Sequence, residues 1–342
     1  MLRTALIGLG RIGWHLHRNK ILETEGYELC AVVDTCQERL DEAKALHGVN
    51  GYTDYKAMLA AEKPDVVVIA SPTIFHEEQA VGAMEAGCDV ILDKPMTVDY
   101  ASAQRIAEAQ KRTGRKLVVY QPYRCNPFVV KTKEIIESGK LGRIYKYMGF
   151  QGGFSRRNDW QSFRKFGGGL LSNYGAHVID YLLYLAKSDV KESFCVTQRV
   201  LSLGDAEDVA HILMNMENGT LLQVNINGAV AIYEKELAIY GDCGALEVRT
   251  DDNYRQYIYL KYYDPAQLEE KSASESMTAE NREYPKDNIQ WVIEEIPLPN
   301  ELWLNFYAEC LPYFTGTGPS FIPLEETMRV MELLQKFHDQ CD

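Results

Sequence analysis

The run Gly8-Leu9-Gly10-Arg11-Ile12-Gly13 has the types and spacing to bind an anion through its backbone. Gly8 permits a tight turn, Gly10 lets the chain approach a pyrophosphate, and Gly13 allows a helix to pack closely on a strand. With Arg11 and Ile12 between them, the exposed N–H groups and the helix dipole then favour a dinucleotide. Asp34, about 20 residues further on, closes the run Ala31-Val32-Val33 and suits the hydroxyls of an adenosine ribose. Its charge would repel a 2′-phosphate, and Thr35 and Cys36 follow rather than an arginine, so NAD is expected in preference to NADP. Two further places carry reactive types. Asp93-Lys94-Pro95 ends a strand-like run, at the sheet edge where ligands bind in open α/β folds; Pro95 cannot continue a ladder, so Lys94 would be held at the mouth of the cleft. Taken alone, Lys94 could equally be a solvated loop residue. Gly167-Gly168-Gly169 permits close backbone approach, and the helical pattern behind it puts Asn173 and His177, four residues apart, on one polar face of an apolar helix.

The elements that must position these groups read as two domains. Residues 4 to 120 alternate strand-like runs (Thr4–Ile7, Glu28–Val33, Asp65–Ala70, Asp89–Leu92, Leu117–Tyr120) with helical patterns (Gln37–His47, Glu77–Ala86, Tyr100–Thr113). That rhythm means repeated βαβ units, hence a doubly wound parallel sheet over residues 1–122. From 123 to 342 the rhythm stops. Consecutive strand-like runs appear at Arg143–Phe150, Ser193–Val200, Val209–Met216, Thr220–Asn227, Glu236–Tyr240, Ala245–Arg249 and Tyr257–Tyr263, with a hairpin signal at Glu217-Asn218-Gly219. They predict a mostly antiparallel sheet in an α+β domain. Helical patterns lie at Asn126–Ser138, about Gly168–Ala186, Leu302–Phe314 and Leu324–Asp339, and the polar stretch Ala266–Asp287 reads as a surface excursion.

Composition narrows the function classes. The 342 residues are 46% hydrophobic and 25% charged, as expected of a compact globular chain. Lys plus Arg is 36 against 49 Asp plus Glu, and a net charge of −13 repels polyanions, so neither nucleic acid nor an anionic membrane surface is an expected partner. No apolar run approaches the 18 or more residues of a membrane span, and the N-terminus enters a strand without an export signal, so a cytoplasmic location is expected. Eight scattered cysteines read as reduced, buried thiols, and no His, Cys, Asp or Glu spacing spells a metal site.

Read together, these motifs resemble the Gfo/Idh/MocA oxidoreductases, the glucose-fructose oxidoreductase and inositol 2-dehydrogenase family, over nearly the whole chain. They are the Gly8 to Gly13 turn, Ser71-Pro72 with His76, Asp93-Lys94-Pro95, Tyr123-Arg124-Cys125-Asn126-Pro127, Ser138-Gly139-Lys140-Leu141-Gly142 and the Gly167 to Asp180 segment, in the family's order. The resemblance implies an N-terminal Rossmann domain, a C-terminal domain with a large open sheet, and NAD(P)-dependent oxidation or reduction of a sugar, cyclitol or related molecule. The family's catalytic lysine, aspartate and histidine fall on Lys94, Asn173 and His177, with Asp93 where the family has glutamate and Asn173 where it has aspartate. Asparagine cannot take a proton, so the general base would be His177, with Lys94 hydrogen-bonding the reacting oxygen.

Ser71, Pro72, His76, Asp93, Lys94 and Gln121 are expected against the cofactor. Tyr123, Arg124, Asn126, Arg156, Arg157, Trp160 and Tyr174 are expected to rim the cleft and bind a hydroxyl-rich substrate. His15 and His17 read as helix-surface or packing residues. A homodimer or homotetramer through the open face of the second sheet is the expected assembly. Two other functions fit the same pattern: an enzyme that keeps its NAD and recycles it through an oxidation–elimination, and a non-catalytic NAD-binding sensor.

Overall fold

The apolar run Leu2–Ile7 forms β1 and leads through Gly8 into a helical segment that begins as a wide π-turn, Gly13–His17, and continues as α1 (Arg18–Glu23). The chain here is a computed structural model that describes residues 1–273, 275 and 287–341. After α1 come β2 (Tyr27–Val33), α2 (Gln37–His47), β3 (Asn50–Tyr52), α3 (Tyr55–Glu62), β4 (Val66–Ile69), α4 (His76–Glu85), β5 (Asp89–Leu92), α5 (Tyr100–Thr113) and β6 (Leu117–Val119). The strands lie in the order β3-β2-β1-β4-β5-β6, every neighbour parallel. Central strands covered on both faces need apolar residues throughout, and Val66, Val67, Val68 and Ile69 are all fully buried. The order reverses between β1 and β4, which opens a crevice at the carboxyl ends of those strands.

Two elements here lie beyond the sequence expectation. Asn50-Gly51-Tyr52 has no alternation to betray it, and becomes an edge strand only by pairing with Ala31–Val33. α3 is an eight-residue helix started by Asp54, whose carboxylate accepts from Lys56 N at 2.9 Å.

The second half holds α6 (Pro127–Glu137), β7 (Ile144–Gly152), α7 (Ala176–Ala186), β8 (Val190–Gln198), β9 (Val209–Met216), β10 (Leu221–Asn227), β11 (Leu237–Gly241), β12 (Gly244–Thr250), β13 (Gln256–Tyr262), β14 (Val292–Pro297), α8 (Phe306–Thr315) and α9 (Leu324–Cys341). Eight strands form one sheet in the order β14-β13-β12-β11-β7-β10-β9-β8, antiparallel except where β10 runs parallel to β7. β14 carries no fully buried residue, so no apolar periodicity announces it; it exists through its ladder with β13. Of the expected polar excursion at 266–287, residues 274 and 276–286 lie outside the described residues.

α7 packs on the inner face of this sheet. At Gly149 a Cβ would come within 2.6 Å of Val178 and 2.9 Å of the Tyr181 hydroxyl, so only glycine admits the helix there. The outer face is open: Phe194 and Leu213 stand opposite each other across β8 and β9, 62% and 44% exposed. The last helices return to the first sheet. Phe306, Tyr307, Cys310 and Phe314 of α8 share a buried cluster with Leu6, Val32 and Val66, so the chain after 305 stitches the two sheets together.

One expected rim residue is displaced by this architecture. Arg124 does not face the cleft; its side chain is 2% exposed, with Nε and Nη2 donating to the Asp180 carboxylate at 2.8 and 2.6 Å and Nη1 to Glu326. It ties the crossing segment Pro122–Cys125 to α7 and α9. Asn126 is likewise spent locally, capping α6 by accepting from Phe128 N at 3.0 Å. Among the described residues no helix is long and apolar enough to cross a membrane, no metal-binding cluster occurs, and all eight cysteines are free thiols.

Candidate active site

A cleft of about 810 Å³ opens at the β1–β4 switch point, lined at one end by Gly8, Gly10, Arg11, Ile12 and Asp34 and at the other by Lys94, Arg157 and Trp160. Its floor is built by absence of side chains. A Cβ on Gly13 would sit 1.8 Å from the Gly8 carbonyl, and one on Gly8 2.7 Å from the Ala70 carbonyl, whereas nothing lies within 4 Å of where a Cβ on Gly10 would be. The first two glycines therefore let strand, turn and helix touch, and Gly10 leaves the backbone open to a ligand. Asp34, at the end of β2, accepts from Leu9 N at 2.7 Å and Cys36 N at 2.9 Å, which fixes its carboxylate beside the glycine turn. Arg39 lies 3.3 Å from the same carboxylate, a cation the sequence reading passed over. These residues fit a dinucleotide: a backbone cradle for the pyrophosphate and a held carboxylate for a ribose.

Lys94 closes the far end of the cleft. Asp93 anchors its loop by accepting from Lys94 N at 2.8 Å, and lies 3.9 Å from the ring of His17, an electrostatic rather than hydrogen-bonding separation. Burial favours the neutral carboxyl of Asp93, but His17 and Lys94 outweigh it and hold the group lower than usual. His17 is thus a packing residue with a purpose, buried between Asp93 and the Tyr307 hydroxyl, which its Nδ1 meets at 2.8 Å. His76 lines the cleft as expected, but it is buried and both ring nitrogens face backbone carbonyls. Nε2 faces the Ser71 carbonyl at 2.9 Å while Nδ1 faces those of Pro95 and Met96 at 3.1 and 3.2 Å, so the ring ties the loop after β4 to the loop that bears Lys94.

Beyond Lys94 stand the two groups from the Gly167–Asp180 segment. Its first turn, Leu171–Gly175, is wound as a π-turn, a local widening that accompanies functional sites, and it presents both the carbonyl and the side chain of Asn173 to one neighbour. Lys94 Nζ donates to Asn173 Oδ1 at 2.6 Å and Asn173 O at 3.0 Å. Burial pushes the Lys94 ammonium down to about 8; Asp93 opposes the shift and Arg157 adds to it. His177 follows in the first turn of α7, buried, its Nδ1 without a partner among the described residues. Burial, and then the nearby Lys94 charge, hold His177 well below the usual imidazole range, which favours the neutral ring, the form that can accept a proton. Its ring packs on Tyr123, 4.8 Å between centroids, and Tyr123 stacks on Tyr181 at 5.9 Å.

The remaining expected residues fall in different places. Ser71, Pro72, Arg157 and Trp160 line the cleft, and Arg157 pairs with Asp159 at 2.7 Å. Gln121 is buried, with its Oε1 unpartnered among the described residues, and does not line the cleft. Tyr174 is half-buried and Arg156 exposed. Sequence reading missed Gln161, which lines the cleft and accepts from Asn173 Nδ2 at 3.3 Å, and it missed Glu236 and Gln151 near Tyr123. The Asp159-Trp160-Gln161 turn, capped by Asp159 accepting from Gln161 N, was the available signal for the first of these.

Known proteins resemble this chain. Residues 2–121 match the model described as "Oxidoreductase family, NAD-binding Rossmann fold", and residues 129–247 the "GFO/IDH/MocA C-terminal domain". The chain is 28% identical to the D-glucoside 3-dehydrogenase of Escherichia coli K12 over 314 residues, 84% of each chain. It is 38% identical to the inositol 2-dehydrogenase of Streptomyces avermitilis over 145 residues, 42% of each. The crystal structure of an NAD-binding protein from Listeria innocua superposes with a TM-score of 0.82 at 24% identity, covering 99% of this chain and 94% of that one, which shows the common fold. The chain therefore belongs to the Gfo/Idh/MocA family of NAD-binding oxidoreductases.

Proposed function

We propose that this protein moves a hydride between the nicotinamide of NAD and a CH–OH carbon of a sugar, cyclitol or related polyhydroxylated molecule. The observation that carries the reading is Lys94, half-buried at the end of the dinucleotide cleft, its Nζ held by Asn173 near His177. Relatives named as glucoside and inositol dehydrogenases support it. Bound in the cleft, the nicotinamide supplies the hydride acceptor or donor. Lys94 hydrogen-bonds the reacting oxygen, stabilising alkoxide character in oxidation and polarising the carbonyl in reduction. His177 takes the hydroxyl proton as the C–H bond breaks, and returns it in reduction. Asn173 orients Lys94 and bears no charge, so it leaves the proton to His177. Tyr123, Tyr174 and Trp160 offer hydroxyl and ring surfaces suited to a hydroxyl-rich ligand.

The test is a thermal-shift titration with NAD, NADH, NADP and NADPH, joined to NADH absorbance over a panel of sugars and inositols. Dinucleotide binding with an absorbance change supports the reading, and absence of both removes it. Binding with substrate consumed but no net absorbance change would instead mark a recycled NAD, and binding without consumption a sensor. We extend the proposal to assembly: a second copy covers the open face around Phe194 and Leu213, which sedimentation of the wild type against Leu213→Glu would reveal.

Two variants follow from the geometry. Asp34→Ser removes the charge that opposes a 2′-phosphate and frees Arg39, 3.3 Å away, to meet it, so the ratio of kcat/KM for NADP over NAD should rise at least about tenfold, a shift of 1.4 kcal/mol. An unchanged ratio would remove Asp34 as the discriminator. Asn173→Asp puts a carboxylate where Oδ1 now accepts from Lys94 at 2.6 Å, which favours the ammonium. Lys94 should then keep its charge to higher pH, and the alkaline fall in kcat/KM, expected near the about 8 of the wild type, should move up by roughly one to three units. A pH–rate profile that keeps its alkaline limb would show that Lys94 does not set it.

A further inference from the structure

The C-terminal sheet brings a carboxylate near Tyr123, the ring that packs on His177, and the catalytic reading does not use it. Glu236, just before β11, is half-buried, and its backbone is fixed by its carbonyl, which accepts from Phe150 N at 3.0 Å and the Tyr181 hydroxyl at 3.3 Å. Gln256 Nε2 donates to Oε2 at 2.6 Å, while Oε1 has no partner among the described residues. The carboxylate is close enough to raise the Tyr123 and Tyr181 hydroxyls electrostatically, after burial, and Tyr123 is the ring that lies on His177. Gln151 Nε2 donates to the Tyr123 hydroxyl at 2.7 Å, and Gln151 Oε1 is a buried acceptor without a partner among the described residues. Tyr123, packed on His177, thus lies near two acceptors that no donor of the described residues fills, Glu236 Oε1 and the buried Gln151 Oε1.

An orphaned buried acceptor costs free energy that a ligand donor recovers. We propose that Glu236 and Gln151, flanking Tyr123, form a second anchoring point that accepts hydrogen bonds from hydroxyls at the end of the substrate remote from the reacting carbon. The inference rests on the dehydrogenase reading and narrows it: the substrate is a neutral polyol or sugar whose far end carries free hydroxyls, because a carboxylate there, as in a uronate, would face Glu236 charge to charge. A carboxylate can accept from two neighbouring hydroxyls at once, so the site selects for position as well as for charge.

The test compares wild type, Glu236→Gln and Glu236→Ala on myo-inositol, glucose, methyl glucoside and glucuronate, with NADH absorbance for turnover and thermal shift for NAD(H) binding and folding. Glu236→Gln keeps the shape and the Gln256 contact while removing the charge. It should raise KM for the best neutral substrate by roughly 10- to 100-fold, with kcat and NAD(H) affinity little changed, and it should narrow the preference for the neutral sugar over glucuronate. A folded Glu236→Gln and a folded Glu236→Ala that both keep the wild-type KM and discrimination would overturn the anchoring point and leave the dehydrogenase reading standing. A wild type that binds NAD(H) but turns over none of the panel would overturn that reading, and the anchoring point with it.

Discussion

Lys94→Met is expected to lower kcat by about 10²- to 10³-fold, the loss typical of removing one positioned donor from a site where charge develops. Methionine keeps an unbranched apolar stem of similar length, so the cleft wall persists while the donor to Asn173 and to the reacting oxygen disappears. Affinity for NAD(H) should scarcely move, because the cradle and Asp34 bind at the opposite end of the cleft. Folding should not suffer on electrostatic grounds either. The Lys94 pKa is lower in the fold than in the unfolded chain, so at neutral pH its charge opposes folding, and deleting it removes that cost. Steady-state kinetics with a thermal melt decide the matter: a fall in kcat smaller than about tenfold, or 1.4 kcal/mol, would deny Lys94 its place at the reacting oxygen.

What could be read in the chain beforehand follows from where the physics is local. The Gly8–Gly13 turn and Asp34 do their work through backbone shape and one strand end, so consecutive residues announce them. The parallel sheet was legible because apolar runs alternate with helical patterns, and β3 was not because three edge residues need no pattern. Lys94, Asn173 and His177 were each identifiable as types, but their meeting depends on a π-turn that exposes the Asn173 carbonyl to Lys94. Glu236 and Gln151 gave no signal, since nothing near them in sequence marks them; β7 and β11 pair side by side, and Tyr123 comes from the segment between the sheets. Arg124 misled for the same reason. An arginine beside a tyrosine in a loop reads as a rim residue until Asp180 and Glu326, far along the chain, arrive to bury it.

That burial makes Arg124→Met the substitution with the largest expected effect on stability. Asp180 is 1% exposed and receives two of the guanidinium's N–H groups, so removing Arg124 leaves a carboxylate in the interior with no counter-charge. Breaking such a pair from one side costs about 3–5 kcal/mol, a large part of the 5–15 kcal/mol that holds a typical domain together. The damage should reach the chemistry as well, because Asp180 lies one turn beyond His177 on α7, and the ion pair sets that helix against the segment carrying Tyr123. The double variant Arg124→Met with Asp180→Leu discriminates between charge and packing: with no charge left unpaired, it should recover most of the lost stability. Denaturant midpoints for the three proteins read this directly. A single variant within about 1 kcal/mol of wild type would mean that Asp180 finds water or another donor, and that the pair does not hold α7 in place.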